Sequence, residues 1–158
     1  MVFRKLIGTA ALIAASVGLA YAGGHGGNPT VKARQAHMQL NAFNLSVLGA
    51  MAKGEREYNA DAASAAANNL NAMAGLSHMN YWPAGTSTDE LGDETRALPA
   101  LWNDGGFAKA GEIGGALADS TANLAAVAGD GQEAIGPALG AVGQQCTACH
   151  KEFQQSRN

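Results

Sequence analysis

The sequence has few cysteines, only two among 158 residues. They are Cys146 and Cys149, so each can pair only with the other or with a group that is not protein. This scarcity argues against a structural zinc site built on two cysteine pairs, because no second pair exists to complete the four ligands. Whatever chemistry the cysteines carry is therefore concentrated at one place near the C-terminus.

Strand patterns and basic residues are also scarce. No segment alternates apolar and polar residues with a period of two, so the sequence predicts no β-strands and lacks the βαβ setting of a redox CxxC motif. Ten lysines and arginines against thirteen acidic residues give a formal net charge of −3. An acidic chain is a poor candidate for nucleic-acid binding, which relies on positive charge against phosphate.

The sequence does contain Cys146-Thr147-Ala148-Cys149-His150. On a helix the two cysteines lie on one face, and His150 points into the same quadrant. CxxCH is typical of c-type haem attachment, in which both thiols bond to the haem and the histidine ligates iron. We therefore expect one covalent haem c on Cys146 and Cys149, with His150 as an axial ligand. The alternative is a non-haem interaction bundle in which the two cysteines form a disulfide.

The N-terminus is typical of a secretory signal peptide. Arg4 and Lys5 precede an apolar run that ends with a small-x-small cleavage site at Ala22. The run is too short to span a membrane comfortably, so we expect residues 1–22 to be removed and no stable membrane anchor to be left. Cleavage changes the net charge from 10 − 13 = −3 to 8 − 13 = −5. The mature domain, 23–158, is expected in a bacterial periplasm, because c-type haem is attached outside the cytoplasm.

Apolar residues recur at spacings of three and four in four segments, which predicts four amphipathic helices. Asn28 and Pro29 form a typical helix start, and Pro137 suggests that the last helix begins no earlier than about Ala134. The segment from Tyr81 to about Glu94 is predicted to be a long functional loop. The predicted helices are 29–53, 60–78, 99–128 and 134–153.

These segments predict an all-α fold, an antiparallel four-helix bundle with short links between helices one and two and between three and four. The apolar stripes are rich in alanine and glycine and poor in bulky aliphatic residues. Small residues leave little side-chain volume for a core, so a haem between the helices would supply the missing apolar volume. We expect a weak fold without it.

The whole mature chain resembles the class II c-type cytochromes, which comprise cytochrome c′ and the low-spin cytochrome c-556 type. The resemblance rests on 33–38 and 47–55 around the first helix, on 83–88, on Leu101-Trp102 and on 146–153. It implies that Arg34 and Gln35 lie beside the haem propionates and that Thr95 and Arg96 approach the haem edge. One departure is Gln154, where many members carry a basic residue close to the proximal histidine.

The resemblance also implies that Met38 faces the iron from the side opposite His150. A thioether bond to iron gives a low-spin His/Met centre, suited to one-electron transfer because neither oxidation state needs a new ligand. We expect such an electron carrier, not an enzyme, working with periplasmic redox proteins as a monomer or homodimer. In one alternative Met38 only fills the pocket, leaving a five-coordinate cytochrome c′ that binds NO or CO. In another, His37 is the ligand.

Overall fold

The computed structural model describes residues 26–156. The predicted signal peptide and the first residues of the predicted mature chain, including His25, lie outside this range. Within it the chain forms five α-helices and three short 3-10 turns, at Met79–Tyr81, Gly92–Glu94 and Pro99–Leu101, and no β-strand. The α-helices are α1 Pro29–Ala52, α2 Ala60–Ala74, α3 Thr88–Leu91, α4 Gly106–Val127 and α5 Gln132–Phe153.

The four long helices, α1, α2, α4 and α5, form a ring in which each packs against two others. Short connections make α1 antiparallel to α2 and α4 antiparallel to α5. Tyr58, just before α2, donates its hydroxyl to the carbonyl of Ala128, just after α4, at 3.0 Å, whereas Asn71 near the end of α2 accepts from Thr121 at 3.5 Å. The start of α2 therefore lies beside the end of α4, and the chain positions run in opposite directions along the two helices. Helices α2 and α4 are thus antiparallel as well, and the predicted all-α antiparallel four-helix bundle is confirmed.

The start of α1 follows the predicted capping residues. The Asn28 side chain accepts a hydrogen bond from the backbone N–H of Thr30 at 3.0 Å, which satisfies a donor that has no partner within the helix. Pro29 occupies the first helical position, where its missing N–H costs nothing. At the other end Gly54 has a positive φ of 71°, a conformation that glycine adopts without a Cβ penalty.

Helix α2 ends at Ala74 and not near His78 as its apolar spacing predicted. Gly75 follows Ala74 and makes the last helical hydrogen bond, from its N–H to the Asn71 carbonyl at 3.1 Å. Glycine disfavours a further turn because it loses more backbone entropy in a helix than other residues do. The chain then turns at Met79–Tyr81 and runs back towards α1.

Helix α5 begins at Gln132, two residues before the predicted limit, and contains Pro137 in its interior. A proline disfavours helical conformation in the residue before it, largely through contact of its ring with that residue's backbone N–H and Cβ. That residue is Gly136, which has no Cβ. The helix therefore tolerates the proline and loses only one backbone hydrogen bond.

The third predicted helix is divided. A 3-10 turn at Pro99–Leu101 is separated from α4 by Gly105, whose φ is 81°, and α4 starts at Gly106. A Cβ at Gly106 would lie 2.3 Å from the Ala100 carbonyl oxygen, so only glycine fits this close approach. The predicted loop is also more ordered than expected, because it contains the single-turn helix α3.

The main core lies where the four long helices meet. Five of its eleven buried residues are alanines, which confirms the expected shortage of bulky side chains. A second cluster of Leu101, Ile113 and Phe153 lies beneath the connection between α2 and α4. No helix within 26–156 is long and apolar enough to cross a membrane. The main core is built from Leu48, Met51, Ala63, Ala66, Ala67, Leu70, Leu124, Ala128, Ile135, Ala138 and Val142.

Candidate functional site

A cavity of about 570 Å³ lies between the N-terminal half of α1 and the C-terminal half of α5. The connection between α2 and α4 contributes Trp82 and the segment 95–97 to its wall. Its volume is within the usual range for small-molecule and cofactor sites, about 300–1,000 Å³. The lining residues are Val31, Arg34, Gln35, Met38, Gln39, Ala42, Trp82, Thr95, Arg96, Ala97, Cys149, His150, Phe153 and Gln154.

Most of the residues expected at a haem site line this one cavity. Met38 lies on the α1 side, and Cys149 and His150 lie on the α5 side. Arg34, Gln35, Thr95 and Arg96, expected near the haem edge, line it as well. The cavity therefore unites residues that are more than one hundred positions apart in the sequence.

Two other residues lie elsewhere. Cys146, one turn before Cys149 on α5, packs against the main core. His37 is not among the cavity-lining residues, and its ring contacts His78 and Tyr81 instead. Ligation by His37, the third option from the sequence, has no support in this arrangement.

Backbone hydrogen bonds hold the long connection against the end of α5. The N–H of Leu98 donates to the Phe153 carbonyl at 2.9 Å, and the N–H of Gln155 donates to the Arg96 carbonyl at 2.8 Å. Ala97 and Gln154 form an antiparallel bridge between these two bonds. The segment that carries Thr95 and Arg96 is thus fixed beside the CxxCH motif.

Arg34 is 5% exposed and carries its charge into the wall of the cavity. Its guanidinium donates to the Tyr81 carbonyl at 3.2 Å, to the side chain and carbonyl of Thr86 at 3.0 and 3.1 Å, and to the Thr95 hydroxyl at 3.3 Å. It also stacks 4.5 Å from the ring centre of Trp82. All of these partners are uncharged, and burial lowers the pKa of Arg34.

The three residues of the motif have shifted pKa values. Burial raises the pKa of the Cys146 thiol, and burial followed by the neighbouring Cys146 raises that of Cys149. Both thiols are therefore protonated at neutral pH, and they form no disulfide. Desolvation, and then the charge of Arg96, lowers the pKa of His150. A lowered pKa favours the neutral imidazole, which is the form that ligates a metal.

These observations fit a covalently attached haem. Two unpaired thiols lie one helical turn apart, and a neutral imidazole beside them lines a cavity of suitable size. A buried cation whose partners are all neutral suits an anionic group, such as a haem propionate, at the cavity wall. The residues present therefore have the chemistry that a c-type haem needs on each side.

A second cavity, of about 610 Å³, lies along the outside of α5. It is lined by Gly140, Gly143, Gln144, Thr147, Ala148 and Lys151. Lys151 is its only charged group, and none of the six is a histidine, cysteine or carboxylate that could ligate a metal. We therefore assign the functional site to the cavity between α1 and α5.

The sequence did not predict how Arg34 is held. Thr86, which accepts two of its hydrogen bonds, and Tyr81, which accepts another, are about fifty residues away. The signal in the sequence was indirect, because the predicted functional loop covers both residues. Trp82, at the same turn, contributes to the cavity wall and accepts a hydrogen bond from the Trp102 indole at its carbonyl, at 3.2 Å.

The chain is similar to proteins of one family. Residues 29–154 match the family described as Cytochrome C'. The cytochrome c′ of Cereibacter sphaeroides is 37% identical over 128 residues, which is 80% of this chain and 83% of that protein. Cytochrome c-554 of the same organism is 33% identical over 126 residues, 79% of this chain and 80% of that protein. A solved cytochrome c′ from Rhodobacter is 35% identical with a TM-score of 0.76, covering 81% of this chain and 96% of its own.

Proposed function

The chain belongs to the cytochrome c′ family, whose members bind a covalent haem c, and from that premise we propose a five-coordinate haem protein that binds NO or CO. In this proposal Cys146 and Cys149 form the thioether bonds and His150 is the proximal ligand. When bound, the haem supplies one-electron chemistry and an iron centre with affinity for diatomic gases. The protein supplies the cavity around the haem, and its side chains determine which side of the iron has no protein ligand.

The observation that carries the haem assignment, whichever side of the iron is open, is the one cavity that His150 and Met38 share. His150 reaches it from α5, and Met38 reaches it from α1, so one residue stands on each side of the space. Thr95, Arg34 and Arg96 form its polar edge and leave the remaining wall largely apolar. Such an enclosure would hold the apolar ring of a haem, and Arg34 and Arg96 would attract its propionates.

Several facts favour an open distal side. Val31 and Leu48 are both buried, at 2% and 0% exposure, and fix the α1 backbone on either side of Met38. Met38 could then bond to the iron only by extending its side chain into the cavity. Immobilising a methionine side chain costs about 1.5–2 kcal/mol of entropy, which opposes this bond. A mutant of the Alcaligenes xylosoxidans cytochrome c′, 27% identical with a TM-score of 0.67, has been solved as its nitric oxide complex.

The second candidate is the low-spin electron carrier with His150 and Met38 as the two axial ligands. It is favoured by the position of Met38 in the cavity wall and by the similarity to cytochrome c-554. Methionine is flexible enough to reach iron from a fixed helix, so the two candidates differ in one bond. In both, the protein is a haem protein of electron transport.

A spectroscopic titration separates the candidates. The ferrous holoprotein is titrated with CO, beside Met38→Ala and the control Met79→Ala, which alters a methionine that is 86% exposed and outside the cavity. The proposal expects a high-spin spectrum and CO binding in all three proteins. A low-spin, CO-inert unmutated protein that becomes CO-reactive only in Met38→Ala would contradict it and establish the second candidate.

We further propose that the protein works in the periplasm after removal of residues 1–22, exchanging electrons with redox proteins there.

An apolar strip on the bundle surface, formed by Leu40 and Phe43, supports self-association into a homodimer. Leu40 and Phe43 on α1 are 56% and 65% exposed. One cytochrome c′ neighbour, 29% identical with a TM-score of 0.72, is described by its ligand-controlled dimer dissociation.

A further inference from the structure

Three aromatic side chains form a cluster beside the haem cavity. The proposed haem site does not use this cluster. The ring centres of His37 on α1 and His78 are 5.0 Å apart, with the planes at 82°. Tyr81 completes the cluster, 5.5 Å from His78 in a stacked arrangement and 6.3 Å from His37. None of the three lines the cavity.

One nitrogen of this cluster has no partner. His78 Nε2 is buried and makes no hydrogen bond, and it is the one side-chain atom of that kind found within the described range 26–156. Buried polar atoms in native proteins are nearly always satisfied, so an orphaned one points to a bound water or ion. The imidazole nitrogen is also the commonest metal ligand among side chains.

The separation of the two histidines matches a shared metal ion. With metal–nitrogen bonds of about 2.0–2.1 Å and tetrahedral angles, two imidazole rings on one ion have centres about 5 Å apart. The χ2 torsion of histidine is broad, so each ring can turn towards a shared ion while the backbone stays in place. We propose that His37 and His78 form a site for a divalent transition-metal ion of the class that prefers imidazole, such as Zn²⁺.

The surroundings define the ion further. The cluster offers nitrogen and no carboxylate, which favours zinc and its neighbours over calcium or magnesium. Within 26–156 no three histidines, cysteines or carboxylates come together, so water completes the coordination and the affinity is modest. Arg34, one turn before His37, donates to the Tyr81 and Thr86 carbonyls. Met79, beside His78, is 86% exposed, so the turn that carries His78 lies at the protein surface.

An ion at this site ties the turn at Met79–Tyr81 to α1. The same turn supplies the Tyr81 carbonyl that accepts from Arg34, and Trp82 follows it into the cavity wall. Binding therefore stabilises one edge of the haem cavity and protects the folded state.

Calorimetric titration with ZnCl₂ tests the site. The haem-loaded protein is used, because its thioether-bonded cysteines no longer compete for zinc. We expect His37→Gln and His78→Gln each to lower the affinity at least tenfold. The control His25→Gln removes the histidine near the predicted mature N-terminus, where the terminal amine and the imidazole could hold zinc separately, and it should leave the affinity of the His37 and His78 site unchanged. Zinc should also raise the melting temperature of the unmutated protein and the control, and much less that of the other two. Equal affinity in all four proteins, or no saturable binding, overturns the proposal.

X-ray absorption at the zinc edge gives an independent answer if either variant folds poorly. In the unmutated holoprotein the spectrum should fit two imidazole nitrogens at about 2.0–2.1 Å, with oxygen completing the shell. A fit with one imidazole or none, or with sulfur, overturns the proposal without reference to any variant.

Discussion

At the scale of single residues, the site combines one buried positive charge with several buried groups that are uncharged. Arg34 is a buried cation with uncharged partners, whereas Cys146, Cys149 and His150 are held neutral by burial. The CxxCH motif thus supplies uncharged bonding groups at one side of the cavity, and Arg34 supplies a fixed positive charge at its edge. An anionic, planar cofactor with metal at its centre matches both.

Replacement of Arg34 by alanine should lower the free energy of unfolding by about 2–4 kcal/mol, because Thr86 and Thr95 lose their buried donor. Urea denaturation of the holoprotein measures this change. Arg56→Ala, at an exposed arginine between α1 and α2, is the matched control and should change the stability by less than about 0.5 kcal/mol. Similar losses in the two variants would show that the Arg34 hydrogen bonds contribute nothing.

Replacement of His150 by alanine should leave the haem covalently attached but change the ferrous absorption spectrum. The reason is that the thioether bonds need only the cysteines, whereas the iron loses its proximal nitrogen. His37→Ala is the control, because its ring packs against His78 and Tyr81 outside the cavity. A spectrum altered by His37→Ala and not by His150→Ala would reverse the ligand assignment.

The identity of most site residues could be predicted from the sequence, but their partners could not. Cys149 and His150 belong to a local motif that the chain itself displays, whereas the expected places of Met38 and Arg34 were implied by the resemblance to the family. The acceptors of Arg34 come from a distant connection, where periodicity carries no information. The His37 and His78 contact was missed for the same reason, since it joins α1 to the turn after α2.

At the scale of elements, the connection between α2 and α4 positions half of the cavity wall. Helix α3 is only four residues long, and a capping box stabilises it, in which Ser87 and Glu90 satisfy each other's backbone N–H groups. Thr86 and Ser87 are both buried at 3% exposure, so the start of this turn is packed rather than solvated. This packing holds in place the hydroxyl and carbonyl oxygens of Thr86 that accept hydrogen bonds from Arg34.

Replacement of Ser87 by alanine should lower the free energy of unfolding by about 1 kcal/mol, the usual cost of losing a helix N-cap. Ser46→Ala, at an exposed serine within α1, is the control. Chemical denaturation of both variants at neutral pH measures the difference. If Ser46→Ala costs as much as Ser87→Ala, the capping box has no special role.

The capping box should also depend on pH. The hydrogen bond from Ser87 lowers the pKa of Glu90 below its ordinary value of 4.5. Because the folded-state pKa is lowered, the contribution is present above pH 4.5 and is lost as the pH falls through the folded-state value. The stability difference between unmutated protein and Glu90→Gln should therefore disappear in acid. A difference that grows as the pH falls would contradict the assignment.

Helix positions were well predicted, but helix ends were not. The start of α1 at Pro29 follows from local capping chemistry, and the structure agrees. The early end of α2 and the early start of α5 depended on glycines whose effect is weak locally, Gly75 and Gly136. Apolar spacing placed the end of α2 too late, and Pro137 suggested too late a start for α5, because the backbone preferences of these two glycines decide both boundaries.

At the scale of the whole molecule, the bundle has an alanine-rich core and an exposed apolar strip. The sequence left the choice between monomer and homodimer open, because the outer faces of the first two helices are rich in alanine. In the structure Leu40 and Phe43 project from α1 with more than half of their surface exposed. The two residues are three positions apart and so share one face of α1, and a contiguous exposed apolar patch is typical of protein interfaces.

Replacement of Phe43 by glutamate should shift the holoprotein from dimer to monomer in analytical ultracentrifugation, because a charge would be buried in the interface. Phe107→Glu, at a phenylalanine that is 50% exposed on α4, is the control and should leave the dimer intact. An unmutated protein that is monomeric at every concentration tested would contradict the homodimer, as would dissociation by the Phe107 change alone.

The most direct test of the account is extraction of haem with acidified acetone. The unmutated protein should keep its haem in the precipitate, because the proposed thioether bonds to Cys146 and Cys149 would hold it. The double variant Cys146→Ala, Cys149→Ala should release all of its haem into the acetone. Haem that stays with the double variant, or that leaves the unmutated protein, would contradict covalent attachment at this motif.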